Sequence, residues 1–157
     1  MRKRIYSRLS KLEKDLLDSA ERVMSTAYNP YSGFYVGSAI LAQDGQIFTG
    51  SNVENAAYGS TICAERAAIL NANSHGIRTL SKIALIGKGE NFETKEVVAP
   101  CGSCRQMIYE VAQISQRNLE VIMANTRRDK IIIATISELL PLGFGPKELG
   151  IVIKKYQ

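Results

Sequence analysis

The 157-residue chain is short of several things, and each shortage excludes something. No apolar run approaches the ~20 residues a membrane helix needs, so no membrane span or membrane partner is predicted. The basic N-terminus is followed by neither an apolar h-region nor a small-residue cleavage site, so no secretory signal is predicted. There is no internal repeat, low-complexity tract or Pro/Gly-rich linker. The length suits one domain over residues 1–157 with a sizeable core. Cysteine is scarce at three, and histidine scarcer at one. Three cysteines cannot all pair within one chain, and these three fall in two compact motifs. Metal binding or thiol chemistry in a reducing compartment fits better, which predicts a soluble cytoplasmic protein.

The charge excess is local. The net charge is +5, and residues 1–14 hold six basic side chains (Arg2, Lys3, Arg4, Arg8, Lys11, Lys14) against the single acid Glu13. The remaining 14 basic and 14 acidic residues cancel. Residues 1–9 read as a basic N-terminal extension, a solvated tail and helix start being plainer than a nucleic-acid arm. A neutral body argues against nucleic acid as a partner.

"SKLE", Ser10 to Glu13, has capping-box form, and Leu12, Leu16, Leu17, Ala20, Val23, Met24 and Ala27 recur at helical spacing. Asn29–Pro30 ends that helix. "FYVGSAILA", the Asp44–Gly45 turn and "QIFTG" read as a β-hairpin. "SNVENAAYGST" reads as a loop leading to a helix over about 62–74, closed by Gly76. "SKIALIG" reads as a strand. A helix over about 102–114 opens at the second cysteine motif. "LEVIMAN" and "KIIIATI" add two strands, and "ISELL" a short helix. Helices falling between strands predict an α/β class with one mixed sheet.

The cysteines lie in "TICAERAA" (Cys63) and "APCGSCRQ" (Cys101, Cys104). A spacing of three puts Cys101 and Cys104 on one helix face. Helix N-termini favour thiolate over thiol. Two such starts facing each other could gather three thiolates around one Zn²⁺ and leave a position open for water. His75 cannot be the fourth ligand: twelve residues beyond Cys63 on the same helix, it lies ~18 Å away. Glu65, two residues after Cys63, need not be a ligand. It could exchange protons with a bound water and a substrate.

Cys-Ala-Glu paired with Pro-Cys-x-x-Cys resembles the zinc-dependent deaminase superfamily. With "NVEN" before it and "FGP" near the C-terminus, the chain is similar to the small homotetrameric cytidine deaminases from about Asn29 to Leu149. The resemblance implies a three-layer α/β/α fold with a mixed five-stranded sheet. It implies one Zn²⁺ per subunit on Cys63, Cys101 and Cys104, with Glu65 as proton shuttle. The implied reaction is hydrolytic deamination of cytidine and 2′-deoxycytidine to uridine and 2′-deoxyuridine in pyrimidine salvage, using zinc-bound hydroxide. Asn52 and Glu54 would hydrogen-bond the sugar hydroxyls, Phe34 would line the pocket, and the backbone at Ala56 would meet the base. Phe144 would reach a neighbouring subunit's site in a homotetramer. A carboxylate at Glu54 would repel a phosphate, which favours a free nucleoside.

Arg66 carries a charge argument of its own. Zinc with three thiolates sums to −1, against zero with two thiolates and a neutral histidine. Arg66, three residues after Cys63, can donate to the sulfurs and offset that excess. Arg105 beside Cys104 is a second candidate. Three other readings are disfavoured: another cytosine-bearing substrate by the intact "NVEN" and "FGP", polynucleotide editing by the charge-neutral body, and a structural zinc module by the lack of a fourth ligand.

Overall fold

Ser10 opens the first long helix as its spacing predicts. Its hydroxyl accepts from the Glu13 N–H at 3.3 Å, and the Glu13 carboxylate accepts from the Ser10 N–H at 2.8 Å. Two of the four orphan donors of helix α1 (Lys11–Met24) are thereby satisfied. The helix buries Leu16, Leu17, Ala20 and Met24 along one stripe. The computed structural model describes residues 1–157, apart from the side chains of residues 155 and 156.

Six strands form one sheet: β1 (Arg2–Arg4), β2 (Phe34–Ala42), β3 (Ile47–Ser51), β4 (Leu80–Gly89), β5 (Glu120–Ala124) and β6 (Ile131–Thr135). Their order is β1-β6-β5-β4-β2-β3. Only β4 and β5 run parallel. The remaining helices are α2 (Ala64–Ser74), α3 (Gly102–Ile114) and α4 (Ile136–Leu139). Among the described residues no helix is long and apolar enough to cross a membrane.

Alternation along the strands makes the three expected layers. Ala39, Leu41, Ala84, Ile86 and Ile122 face α1. Ile40, Phe48, Leu85, Val121 and Met123 face α2 and α3. Fully burying each such Leu or Ile contributes about 1.5–3 kcal/mol. Two glycines let helices lie flush on the sheet. A Cβ at Gly37 would stand 1.9 Å from the Ala20 carbonyl oxygen of α1, and one at Gly50 would stand 2.3 Å from the Ala68 nitrogen of α2.

The strand count is six where five were expected. Arg2, Lys3 and Arg4 pair antiparallel with Ile133, Ile132 and Ile131. Three exposed charged residues carry no hydrophobic alternation, so the sequence pattern could not reveal the strand. Ion pairs with residues distant in the same chain hold it: Arg2 with Glu120, and the N-terminal amine with Glu138. Leu9 closes the segment by burying against the α1 side of the sheet.

The parallel pair needs a crossover, and α3 supplies it. That topology returns the start of α3 to the carboxyl ends of β4 and β5, where open α/β sheets place their ligands. The Val98 N–H donates to the carbonyl of Ala124, the last residue of β5, at 3.2 Å. This fixes the approach of the chain to Cys101.

Candidate active site and metal centre

Cys63 is the N-cap of α2 and Cys101 the N-cap of α3. Ser, Thr, Asp or Asn usually fill that position and accept from the first free N–H groups. Neither cysteine makes a side-chain cap bond, so both helix starts keep their positive ends. Cys104 lies one turn into α3 and is fully buried. The Cys63 and Cys101 sulfurs are 3.9 Å apart, and all three sulfurs lie within 4.8 Å of one another. At a Zn–S distance of about 2.3 Å, tetrahedral sulfurs stand about 3.8 Å apart. Cys63 has its pKa lowered to about 5, first by hydrogen bonding with Cys104 and then by Arg66 and Cys101. Cys104 is pushed up, as the donor in that pair and by burial. The environment favours the thiolate at Cys63, in a converging set of three sulfurs. The donors suit zinc in number, type and spacing.

Glu65 follows on the first turn of α2 and is 3% exposed. Burial, above all, raises its carboxyl above the usual carboxylate range. It stands outside the three-sulfur cluster. The Arg66 guanidinium reaches back along the helix start, donating to the Thr61 carbonyl and standing 3.9 Å from the Cys63 sulfur. Its Nε is buried with no hydrogen-bond partner among the described residues. Arg105 turns elsewhere: it donates to the Pro100 carbonyl at 2.8 Å and the Leu139 carbonyl at 2.9 Å. It ties the start of α3 to α4 rather than meeting a sulfur. His75 is the C-cap of α2, before Gly76 at φ +78°, with its Nδ1 2.9 Å from the Asn71 carbonyl.

The stretch read as a loop before α2 is a backbone hub. Val53 exchanges two 2.9 Å bonds with Ile62, while Tyr28 and Glu54 bond across its other side. The hub places Asn52 and Glu54 beside the start of α2. Asn52 is buried, and both ends of its amide are engaged. Its Oδ1 accepts from the Val36 N–H at 2.8 Å and its Nδ2 donates to the Phe34 carbonyl at 2.9 Å. Asn52 therefore latches the hub to β2 and holds the backbone of Phe34, a role its motif did not reveal. One Glu54 oxygen accepts from Tyr31 N–H at 2.9 Å and Ser32 N–H at 3.2 Å; hydrogen bonding with the Ser32 side chain first, and then these backbone bonds, hold its carboxyl below the usual range. Its other oxygen has acceptor capacity left.

Ala56 is exposed in this loop. Phe34 lies over Gly87, with Val98 on the same bare backbone. Phe144 is 58% exposed, and its carbonyl accepts from Gln106 of α3 at 2.8 Å. A cavity of about 1020 Å³ is lined by Met24, Lys88, Phe92 and Arg127 among others and holds none of the three cysteines. Its charges are mixed in sign, with Arg127 and Glu93 ion-paired to each other. The sulfur cluster remains the stronger site.

Comparison with known proteins agrees with this geometry. Residues 10–119 match the profile described as the cytidine and deoxycytidylate deaminase zinc-binding region. The chain is 39% identical over 135 residues to a cytidine deaminase of Sporosarcina psychrophila, covering 86% of this chain and 93% of that one. It is 40% identical over 135 residues to a cytidine deaminase of Halalkalibacterium halodurans, covering 86% and 96%. Among solved structures, the cytidine deaminase of Burkholderia pseudomallei superposes with a TM-score of 0.76 at 37% identity, covering 87% of this chain and all of that one.

Proposed function

This chain belongs to the cytidine and deoxycytidylate deaminase family, and from that premise we propose how its own residues carry out the deamination. The reaction is the hydrolysis of cytidine to uridine and ammonia, a step of pyrimidine salvage, and the enzyme is a zinc-dependent hydrolase. Cys63, Cys101 and Cys104 hold the ion. When bound, zinc supplies Lewis-acid chemistry that makes the attacking water a stronger acid.

Glu65 moves the protons. Its carboxylate accepts one from the attacking water and delivers it to ring N3, while the oxygen adds at C4. It then carries the second water proton to the departing amino group. The bond from C4 to nitrogen breaks, ammonia leaves, and the carboxylate is restored. A buried carboxylate suits this work, because few waters compete for its protons. Arg66 offsets the negative charge of three thiolates.

Asn52 and Glu54 face the sugar, Asn52 through its remaining donor capacity and Glu54 through its remaining acceptor capacity. Phe34 forms a wall of the pocket, and the backbone at Ala56 meets the base. Phe144 serves the site of a neighbouring subunit in a homotetramer. Leu142, Phe144, Leu149 and Val152 are all exposed beyond half, and such a cluster of apolar side chains marks a contact surface. The chain acts as one deaminase domain over residues 1–157, in the cytoplasm, on free cytidine and 2′-deoxycytidine rather than on nucleic acid.

The observation that carries this reading is the convergence of three sulfurs with the buried Glu65 at two facing helix starts. The test is the loss of cytidine absorbance, followed with the zinc-loaded enzyme, Glu65→Gln and a chelated sample. Wild-type turnover with both controls silent is expected. A folded, zinc-loaded enzyme without activity on either nucleoside would overturn the reading.

A further inference from the structure

The site-facing side of β4 carries a trough. Strand alternation puts Gly87 and Gly89 on the face from which Ile83 and Leu85 enter the α2–α3 layer. A Cβ at Gly87 would stand 3.2 Å from both Phe34 Cε1 and Val98 Cγ2. A Cβ at Gly89 would stand 2.1 Å from Phe92 Cε1. Two rings therefore lie side by side on bare backbone, Phe34 over Gly87 and Phe92 over Gly89. Their centroids are 6.2 Å apart and their planes tilted by 31°, within the range of interacting aromatic pairs.

The turn after β4 aims the second ring. The Gly89 N–H donates to the Phe92 carbonyl at 2.9 Å, and the Glu90 N–H to the Gly33 carbonyl at 2.8 Å. Phe34 itself pairs with Gly89 across β2 and β4. Yet Phe92 is 61% exposed. A large ring left mostly in water gains little from burial, so stability alone is a weak reason for so defined a seat. What the seat does achieve is local. Phe34 is the first residue of β2, so no preceding residue of the strand restrains its ring. Gly87 gives that ring a floor, Val98 flanks it on the way to Cys101, and Phe92 closes its outer side.

We propose that Phe92 is a positioning residue for the substrate: it backs the Phe34 ring and thereby sets the affinity for the nucleoside. The inference rests on the reading that Phe34 lines the nucleoside pocket. Without Phe92, the Phe34 ring gains rotamers in the free enzyme, and substrate binding has to order it. The zinc ligands and Glu65 lie on other elements, so the chemical step keeps its geometry.

The experiment compares Phe92→Ala, Phe92→Tyr, Gly89→Ala and Phe34→Ala for KM, kcat and zinc content. Phe92→Ala raises KM for cytidine about fivefold, the scale of one aromatic pair, with kcat and zinc unchanged. Phe92→Tyr keeps the ring and restores KM. Gly89→Ala keeps Phe92 but displaces its ring, and raises KM likewise. If Phe34→Ala raises KM while Phe92→Ala and Gly89→Ala do not, the role of Phe92 is wrong and the pocket reading survives. If Phe34→Ala leaves KM unchanged, the pocket reading fails and takes the proposal with it. A loss of zinc or of thermal stability in Phe92→Ala, with KM unmoved, would make the ring merely structural and also overturn the proposal.

Discussion

Cys63 and Cys101 occupy the same position on two different helices: each is the N-cap, and their sulfurs are 3.9 Å apart. The chain has thus put thiols where helices ordinarily put hydroxyls or amides. It forgoes two caps and gains two electropositive cradles for thiolate. That arrangement orders the expectations below.

The proposed role of Arg66 is to balance the charge around the sulfurs. Arg66→Gln removes the guanidinium beside Cys63 and leaves the three donors in place. Zinc affinity falls about 10–100-fold, as for other groups that support metal ligands, and turnover falls with it. Metal content after dialysis against a graded chelator, read beside kcat, checks this. Wild-type values for both would remove Arg66 from the centre.

The seat of α2 depends on Gly50. A methyl group there meets the backbone of Ala68 and Ala64, neither of which can step aside as a flexible side chain would. Gly50→Ala destabilises the fold by about 1–3 kcal/mol and tilts the helix that starts at Cys63. Urea denaturation and a zinc titration measure the two effects. An unchanged midpoint would mean that α2 is less tightly seated than the backbone distances require.

Asn52→Ala leaves the Val36 N–H and the Phe34 carbonyl without partners. Each stranded group costs about 1–3 kcal/mol where it remains shielded from water. The start of β2 frays, and KM for cytidine rises along with the loss of stability. Asn52→Asp keeps the acceptor and loses the donor, so it falls between. Hydrogen exchange at Val36 distinguishes the variants: protection equal to wild type in Asn52→Ala would deny the latch.

The N-terminal strand carries a weak pH dependence. Lys82, and then Arg2, hold the Glu120 carboxyl below the usual carboxylate range. A carboxyl depressed by folding stabilises the fold above its unfolded pKa of ~4.3. That stabilisation is lost as pH falls through the lower folded value. Solvent screens this partly exposed cluster, so the contribution is about 0.5 kcal/mol. Glu120→Gln lowers the urea midpoint slightly at pH 7, and the gap to wild type closes as pH falls below about 4. A gap that widens in acid would contradict the sign.

Elements with a strong local signal were legible in the sequence. The Ser10 capping box and the stripe of Leu16, Leu17 and Ala20 announce α1, because each is a short-range pattern with one physical meaning. The cysteine spacing likewise announces a metal site. Strand β1 was not legible, since Arg2, Lys3 and Arg4 owe their pairing to the β6 edge and to ion pairs with distant residues. Arg105 resembled Arg66 as a basic residue next to a ligand. Only the rotation of α3 reveals that it faces the Pro100 and Leu139 carbonyls. Phe92 lies in a turn with no motif, and its place is set by Gly89, whose missing side chain makes room for it.

The three thiols belong to stretches 38 residues apart, and one ion held between them closes that span into a loop. A covalent cross-link over such a length lowers the entropy of the unfolded chain by about 4 kcal/mol at 25 °C. The metal is then a clasp as well as a reagent. It fastens α2 to α3 across the outer layer, and chelation loosens the protein in addition to silencing it.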